Sequence, residues 1–324
     1  MKAWQVQGHG EPTAALHMVD AELPEPGPGQ VRLRVRAAAL GFPDVLMCRG
    51  IYPLTPTLPF TPGQEVAGEV TAVGDGVDHA VGDRIMAVTA FDTGRGGFAE
   101  EALARAGHPI PDSMSDADAA GFYIAYITGW IGLVTRGQMQ PGETLAVLGA
   151  AGGCGSAAVQ LAKVLGARVI AVVGGDEKAE YCRSIGADEI VDHTREDVPE
   201  ALRAHTGGRG VDLIYDPVGG TAATDALRGI SSEGRMLGVG FASGEWPELN
   251  MARIVIGNYT VMGVYVGAYS GGTATRDAVD RLNELFASGA INSGLTTTVT
   301  FDELPAALER LADRTAMGKT VVVM

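Results

Sequence analysis

One segment limits the folding options of this chain more than any other. It is Leu145-Ala146-Val147-Leu148-Gly149-Ala150-Ala151-Gly152-Gly153-Cys154-Gly155-Ser156, followed by a helical pattern through Leu165. An apolar strand enters a glycine-rich turn and leaves it as a helix. The spacing Ala150-x-Gly152-x-x-Gly155 varies the G-x-G-x-x-G pattern, in which small residues permit a tight turn and close approach of the backbone to a pyrophosphate. The helix beyond it offers free N–H groups and the positive end of its dipole to an anion. Ala151, Gly152, Gly153 and Cys154 are therefore candidate cofactor contacts. A glycine-rich turn without a ligand has the same spacing, so context decides.

The context is a repeat of strand and helix. Short apolar segments fall at 145–148, 168–173, 189–191, 211–215, 235–239 and 260–264. Their separation of about 20–25 residues suits parallel strands joined by helical crossovers. Six such units predict a doubly wound α/β sheet that binds a dinucleotide. An NAD site of this kind places an acid at the end of the second strand, to take the ribose hydroxyls. Here that strand ends in Val173-Gly174-Gly175. Asp176 follows slightly late and reads as the N-cap of a helix over 177–185. Lys178 is placed to pair with a 2′-phosphate, which favours NADPH, though it also suits a solvated helix face.

Upstream of Ser115 the pattern changes. Val31, Leu33 and Val35 alternate with Arg32, Arg34 and Arg36, the period of a strand with one wet face. Segments 65–73 and 81–88 are further strand candidates. Pro24, Pro26 and Pro28, and then Pro53, Pro56, Pro59 and Pro62, mark stiff loops able to line a pocket. At the other end, helices over 275–288 and 304–312 and strands at 296–300 and 320–323 predict a tail that returns to the first domain. The expected division is 1–120 with 268–324 for a discontinuous β-rich domain, and 121–267 for the dinucleotide domain.

Bulk properties narrow the function classes. The 324 residues are 46% hydrophobic and 19% charged, enough for a large core. A net charge of −15 repels nucleic-acid backbones, so no nucleic-acid partner is expected. Three scattered cysteines, Cys48, Cys154 and Cys182, fit a reducing cytoplasm. No run of wholly apolar residues is long enough to span a bilayer, so no membrane partner is expected.

Several ordered motifs now stand together: Pro26-Gly27-Pro28-Gly29-Gln30-Val31, Phe42-Pro43-Asp44-Val45-Leu46, Pro62-Gly63-Gln64-Glu65-Val66-Ala67-Gly68, Val81-Gly82-Asp83-Arg84 and Gly96-Gly97-Phe98-Ala99-Glu100. After the Gly149 loop come the run 211–220, which contains Tyr215-Asp216-Pro217-Val218, and Gly240-Phe241-Ala242-Ser243-Gly244-Glu245. Over nearly its whole length the chain resembles the zinc-independent quinone oxidoreductase branch of the medium-chain dehydrogenase/reductase superfamily. The resemblance implies a GroES-like catalytic domain, a Rossmann domain, NADPH in the cleft between them and a homodimer. The segment 260–264 is the candidate strand for pairing across a twofold axis.

Zinc-dependent members carry a Cys and a His at the positions of Gly41 and Gln64, and a third ligand near Ile124. None of the three residues here ligates zinc, so a metal-free reaction is expected. Gly174, Lys178 and His193 match the family's 2′-phosphate site, with His193 in place of its usual Tyr. Val218, Gly240, Phe241, Ala242, Val264 and Tyr265 are implied to surround the rest of the cofactor. Tyr52 and Tyr126 are candidates to hydrogen-bond a reduced oxygen or relay a proton, or else simply pack. Asp216 either serves the cofactor crevice or caps its own turn. The expected acceptor is a quinone or similar conjugated carbonyl. Reduction of enals, enones or enoyl thioesters, and dinucleotide sensing with little turnover, remain open because the family's Asn is Gly41 here.

Overall fold

The computed structural model describes residues 1–22, 25–105, 107–269 and 272–324. Pro24, expected in a loop, lies outside them. The chain divides into two units, 1–124 with 292–324, and 125–291. The return to the first unit thus comes at Asn292 rather than at 268, because the helix Thr273–Ala287 groups with the second unit.

The first unit is built on a seven-stranded sheet. Its order along the main path is Leu295–Thr300, Lys319–Val323, Gln30–Ala39, Glu65–Val73, Arg84–Val88 and His108–Pro109. Glu101–Arg105 also pairs with Gln30–Ala39. The alternation read from the arginines holds: Val31, Leu33 and Val35 are buried, while Arg34 and Arg36 face solvent. The last strand joins antiparallel to the central one, Val321 opposite Ala39. A separate hairpin-like pair is formed by Lys2–Val6 and Leu16–Asp20. One apolar cluster, including Leu33, Met47, Phe60, Phe98 and Leu308, fills this unit.

Elements of the second unit are labelled in chain order. The strands are β1 (Thr144–Leu148), β2 (Arg168–Val173), β3 (Glu189–Asp192), β4 (Val211–Asp216), β5 (Ile230–Gly238) and β6 (Thr260–Gly263). All are parallel, in the order β3-β2-β1-β4-β5-β6. That is the doubly wound arrangement of a Rossmann domain. Every residue of the central β1 is buried, as expected of a strand covered on both faces. The helices are α1 (Asp116–Trp130), α2 (Gly153–Val164), α3 (Asp176–Ser184), α4 (Val198–His205), α5 (Gly220–Ala226), α6 (Met251–Gly257) and α7 (Thr273–Ala287).

Helix α1 crosses the boundary between the units and continues as a widened π-type turn over Ile131–Arg136. With that extension it is long and apolar enough to cross a membrane, although it holds no wholly apolar run of that length. Two-thirds (67%) of its most apolar window is instead buried in the protein, the pattern of a core helix.

Candidate functional site

In the second unit the cofactor candidates gather at the carboxyl ends of the strands. β1 runs into the glycine loop, where Gly152 precedes the first residue of α2. Gly155 is the tight position: a Cβ there would stand 2.3 Å from the Gly149 carbonyl oxygen and 2.8 Å from the Ala150 Cα. The loop can fold this way only without a side chain, and α2 then presents its N-terminus to the crevice. Ala151 is buried, while Gly152, Gly153 and Cys154 are half-buried.

The neighbouring strand β4 supplies the floor. Asp216 is buried, and its Oδ1 accepts the Val218 and Gly219 N–H groups at 2.8 and 2.9 Å. The carboxylate therefore caps the turn after β4, one of the two roles open to it. Its Oδ2 is buried without a hydrogen-bond partner. Burial raises the Asp216 carboxyl pKa against the two opposing backbone bonds. Val218 sits against the glycine loop, 3.0 Å from where a Cβ on Gly149 would lie.

The turn after β5 folds onto the same floor. Val239 N donates to the Asp216 carbonyl at 2.8 Å, and Ala242 N to the Pro217 carbonyl at 3.1 Å. This places Gly240, Phe241 and Ala242 beside Val218. The Phe241 ring is buried and packs on Trp246, with centroids 4.4 Å apart. Val264 N donates to the Gly238 carbonyl at 2.9 Å, which fixes Val264 beyond the end of β6. Val264 is buried and Tyr265 is exposed, its ring curled over Gly267.

The tips of β2 and β3 form the other end. Gly174 follows β2 below His193, and a Cβ on Gly174 would stand 2.9 Å from His193 Nε2. The His193 ring is exposed and lies over the space that Gly174 leaves free. Lys178, half-buried, is in the first turns of α3. Asp176 does not cap this helix. It is the first helical residue, with Gly175 as N-cap at φ +87°, and its carboxylate is engaged by Arg195 instead. These features fit a dinucleotide: a cradle that a Cβ would fill, an unfilled buried acceptor in the floor, and glycine at the end of β2.

Tyr126 is not part of this edge. It is fully buried, and its hydroxyl accepts a hydrogen bond of 2.7 Å from Gln160 Nε2. Burial drives the phenol pKa far up. Of the two roles open to Tyr126, this setting supports packing.

In the first unit, buried acids hold the backbone at or beside Gly41, Gln64 and Ile124, the positions at which the resemblance would place zinc ligands. The short helix Phe42–Cys48 begins after Gly41. Its Asp44 is buried and accepts the Gly41 N–H at Oδ2 and the Gly63 N–H at Oδ1, both at 2.9 Å. Glu65 Oε2 accepts the Ile124 N–H at 2.8 Å, and Glu65 Oε1 pairs with Lys319 Nζ at 2.5 Å. Desolvation pushes the Asp44 carboxyl up to about 7, against its two backbone hydrogen bonds. The sequence motifs contain Asp44 and Glu65 without marking either role, and Lys319 stands in none of them. Lys319 is 254 residues from its partner, so no local signal marks the pair.

Gln64 directs its Nε2 toward the Met47 sulfur at 3.9 Å. Tyr52 is half-buried against the apolar core, and its backbone follows the helix through a 3.3 Å bond to the Leu46 carbonyl. The Pro-rich loop does line a cavity, of about 340 Å³, through Pro56 and Pro59. That cavity is also lined by Met1, Gln5 and residues 101–103, and neither Tyr52 nor Gln64 borders it.

Two family models match, "Alcohol dehydrogenase GroES-like domain" over 27–113 and "Zinc-binding dehydrogenase" over 153–288. The quinone oxidoreductase-like protein 2 homolog of Nematostella vectensis is 36% identical over 303 residues, covering 91% of this chain and 82% of the relative. The quinone oxidoreductase of Pseudomonas syringae pv. Tomato DC3000 superposes with a TM-score of 0.91 at 30% identity, covering 100% of this chain and 99% of its own. The Escherichia coli quinone oxidoreductase, solved with NADPH, gives a TM-score of 0.91 at 27% identity over 100% of both chains. Sequence, fold and glycine cradle agree, and the chain belongs to the quinone oxidoreductase branch of the medium-chain dehydrogenase/reductase superfamily.

Proposed function

We propose that this protein is an NADPH-dependent oxidoreductase that delivers hydride to quinones or similar conjugated carbonyls without zinc. The observation that carries the reading is the strand edge of the second unit. A glycine cradle follows β1, and Gly174 rather than an acid follows β2. The NADPH held by the Escherichia coli relative supports the choice of cofactor. Gly41, Gln64 and Ile124 support the metal-free reading, since none supplies a ligand atom suited to zinc. Among the described residues no group of three His, Cys, Asp or Glu side chains is placed to hold a metal.

Bound NADPH would supply the hydride; the chain supplies position and dryness. Ala151 to Cys154 and the α2 N-terminus would hold the pyrophosphate. Gly174, Lys178 and His193 would take the adenosine end. Val218, Gly240, Phe241, Ala242, Val264 and Tyr265 would border the remainder. The Asp44 clamp fixes Gly41 and Gly63, and so the loop beside Gln64. Tyr52 is the candidate to hydrogen-bond the reduced oxygen, with solvent as the proton source. We place the enzyme in the cytoplasm, as a homodimer.

The test is NADPH oxidation at about 340 nm, the reduced nicotinamide band. Acceptors are 1,4-benzoquinone, 9,10-phenanthrenequinone, 2-hexenal and crotonyl-CoA, with EDTA and NADH arms. Quinone-dependent turnover that prefers NADPH and survives EDTA is expected. Turnover confined to the enal or thioester moves the protein to enoyl reduction, and tight binding without turnover moves it to sensing.

A further inference from the structure

The NADPH reading assigns the 2′-phosphate to Lys178 and His193, but another cation stands at the same two strand tips. β3 ends in the turn Asp192-His193-Thr194-Arg195, which Asp192 organises. Its Oδ1 accepts Thr194 N at 2.9 Å and Thr194 Oγ1 at 2.7 Å, and its Oδ2 accepts Gly175 N at 3.3 Å. The last of these bonds ties the end of β3 to the end of β2. Thr194 Cγ2 would stand 3.1 Å from a Cβ on Gly174, so the turn lies directly over that glycine. Arg195 is therefore held on the rim of the adenosine end.

Its guanidinium is engaged by a residue with another expected task. Nη1 and Nη2 of Arg195 lie 2.7 and 3.2 Å from the two Asp176 oxygens, a fork-on-fork pair, and Nε lies 3.3 Å from Asp192 Oδ2. Asp176 makes this pair from the first position of its helix. The side chains are 61% and 84% exposed, so the bond is held in water and exchanges easily. A phosphate monoester offers the same fork more charge and more acceptor oxygens than a carboxylate does.

We propose that Arg195 is a further reader of the cofactor 2′-phosphate, held in place by Asp176 and transferred from that carboxylate to the phosphate on binding. The inference rests on the NADPH reading and deepens it. Asp176 then competes with the phosphate for Arg195, and once released it repels the phosphate. The two partners of one ion pair thus have opposite effects on cofactor choice.

The experiment is calorimetric titration of the full chain with NADPH and, separately, with NADH, which lacks the 2′-phosphate. In the wild type, NADPH binds more tightly. Arg195→Met is expected to lower the NADPH-to-NADH affinity ratio about fivefold or more, and to reduce the salt dependence of NADPH binding. Arg195→Lys, which keeps the charge and loses the fork, falls between. Asp176→Asn is expected to raise the ratio about threefold. A ratio unmoved by Arg195→Met overturns this assignment and leaves the NADPH reading standing. A ratio lowered by Asp176→Asn overturns the exchange. Equal wild-type affinity for the two cofactors overturns the NADPH reading, and this inference with it.

Discussion

At the scale of single residues, the group with the clearest energetic signature is Asp44. Its carboxyl titrates near 7 in the folded chain, against an ordinary value of 3.8, because burial outweighs its two backbone hydrogen bonds and the nearby Lys319. A raised carboxyl binds its proton more tightly in the native state than in the unfolded one. The native state therefore loses stability as pH rises from about 4 to about 7, and the loss is complete above that. A gap of roughly three pH units corresponds to something on the order of 4 kcal/mol. Asp216 pulls the same way, whereas the carboxylates held low, such as Asp188 and Asp212, are already ionised above pH 5. Urea unfolding at pH 5, 6.5 and 8 should show a falling midpoint, and a rising one refutes the account. Asp44→Asn should flatten that slope. It should also cost about 1–3 kcal/mol at pH 5, where its NH2 would face a backbone N–H. Lys319→Met strips Glu65 of its buried counter-charge and is expected to cost about 3–5 kcal/mol in the same assay.

At the scale of elements, the glycine loop admits a sharper test. A methyl group at residue 155 would collide with the Gly149 carbonyl, which is backbone and cannot step aside. Gly155→Ala is expected to lose NADPH affinity by more than tenfold and stability by about 1–3 kcal/mol. Unchanged affinity in titration would mean that the loop does not cradle the pyrophosphate. This loop was legible because one strand and one helix encode it locally. The parallel strands were legible because burial on both faces leaves near-continuous apolar runs. β5 was read only from 235 onward, since its first half, Ser231-Ser232-Glu233-Gly234, is polar and Glu233 takes φ +63°. Helix α1 gave no periodic signal because apolar residues cover it almost all round, with Ala119, Ala120, Phe122, Tyr126 and Ile127 all buried. The helix Phe42–Cys48 was masked by Pro43, which suits a first turn as well as a loop. The Glu65 and Lys319 contact joins segments 254 residues apart, and only the sheet brings them together.

At the scale of the molecule, one edge of the parallel sheet has no neighbouring strand among the described residues. β6 is the last strand in the order, and Met251, Val255 and Ile256 on α6 are 66%, 71% and 85% exposed. An unpaired edge flanked by apolar side chains is a poor surface to leave in water. The proposed homodimer would pair β6 with its twofold copy and cover those side chains. Long-range charge works against it, because each chain carries −15. Association driven by apolar burial against like-charge repulsion should strengthen as salt screens the repulsion. Association through interchain ion pairs should weaken instead. Light scattering at micromolar concentration is expected to give the mass of two chains, with the dimer more persistent on dilution at 0.5 M than at 0.05 M NaCl (about 4 and 14 Å of screening length). Ile256→Asp should shift the protein to monomer. A wild-type monomer at both salt concentrations would remove the dimer, and a dimer that dissociates with salt would place its contacts away from this apolar edge.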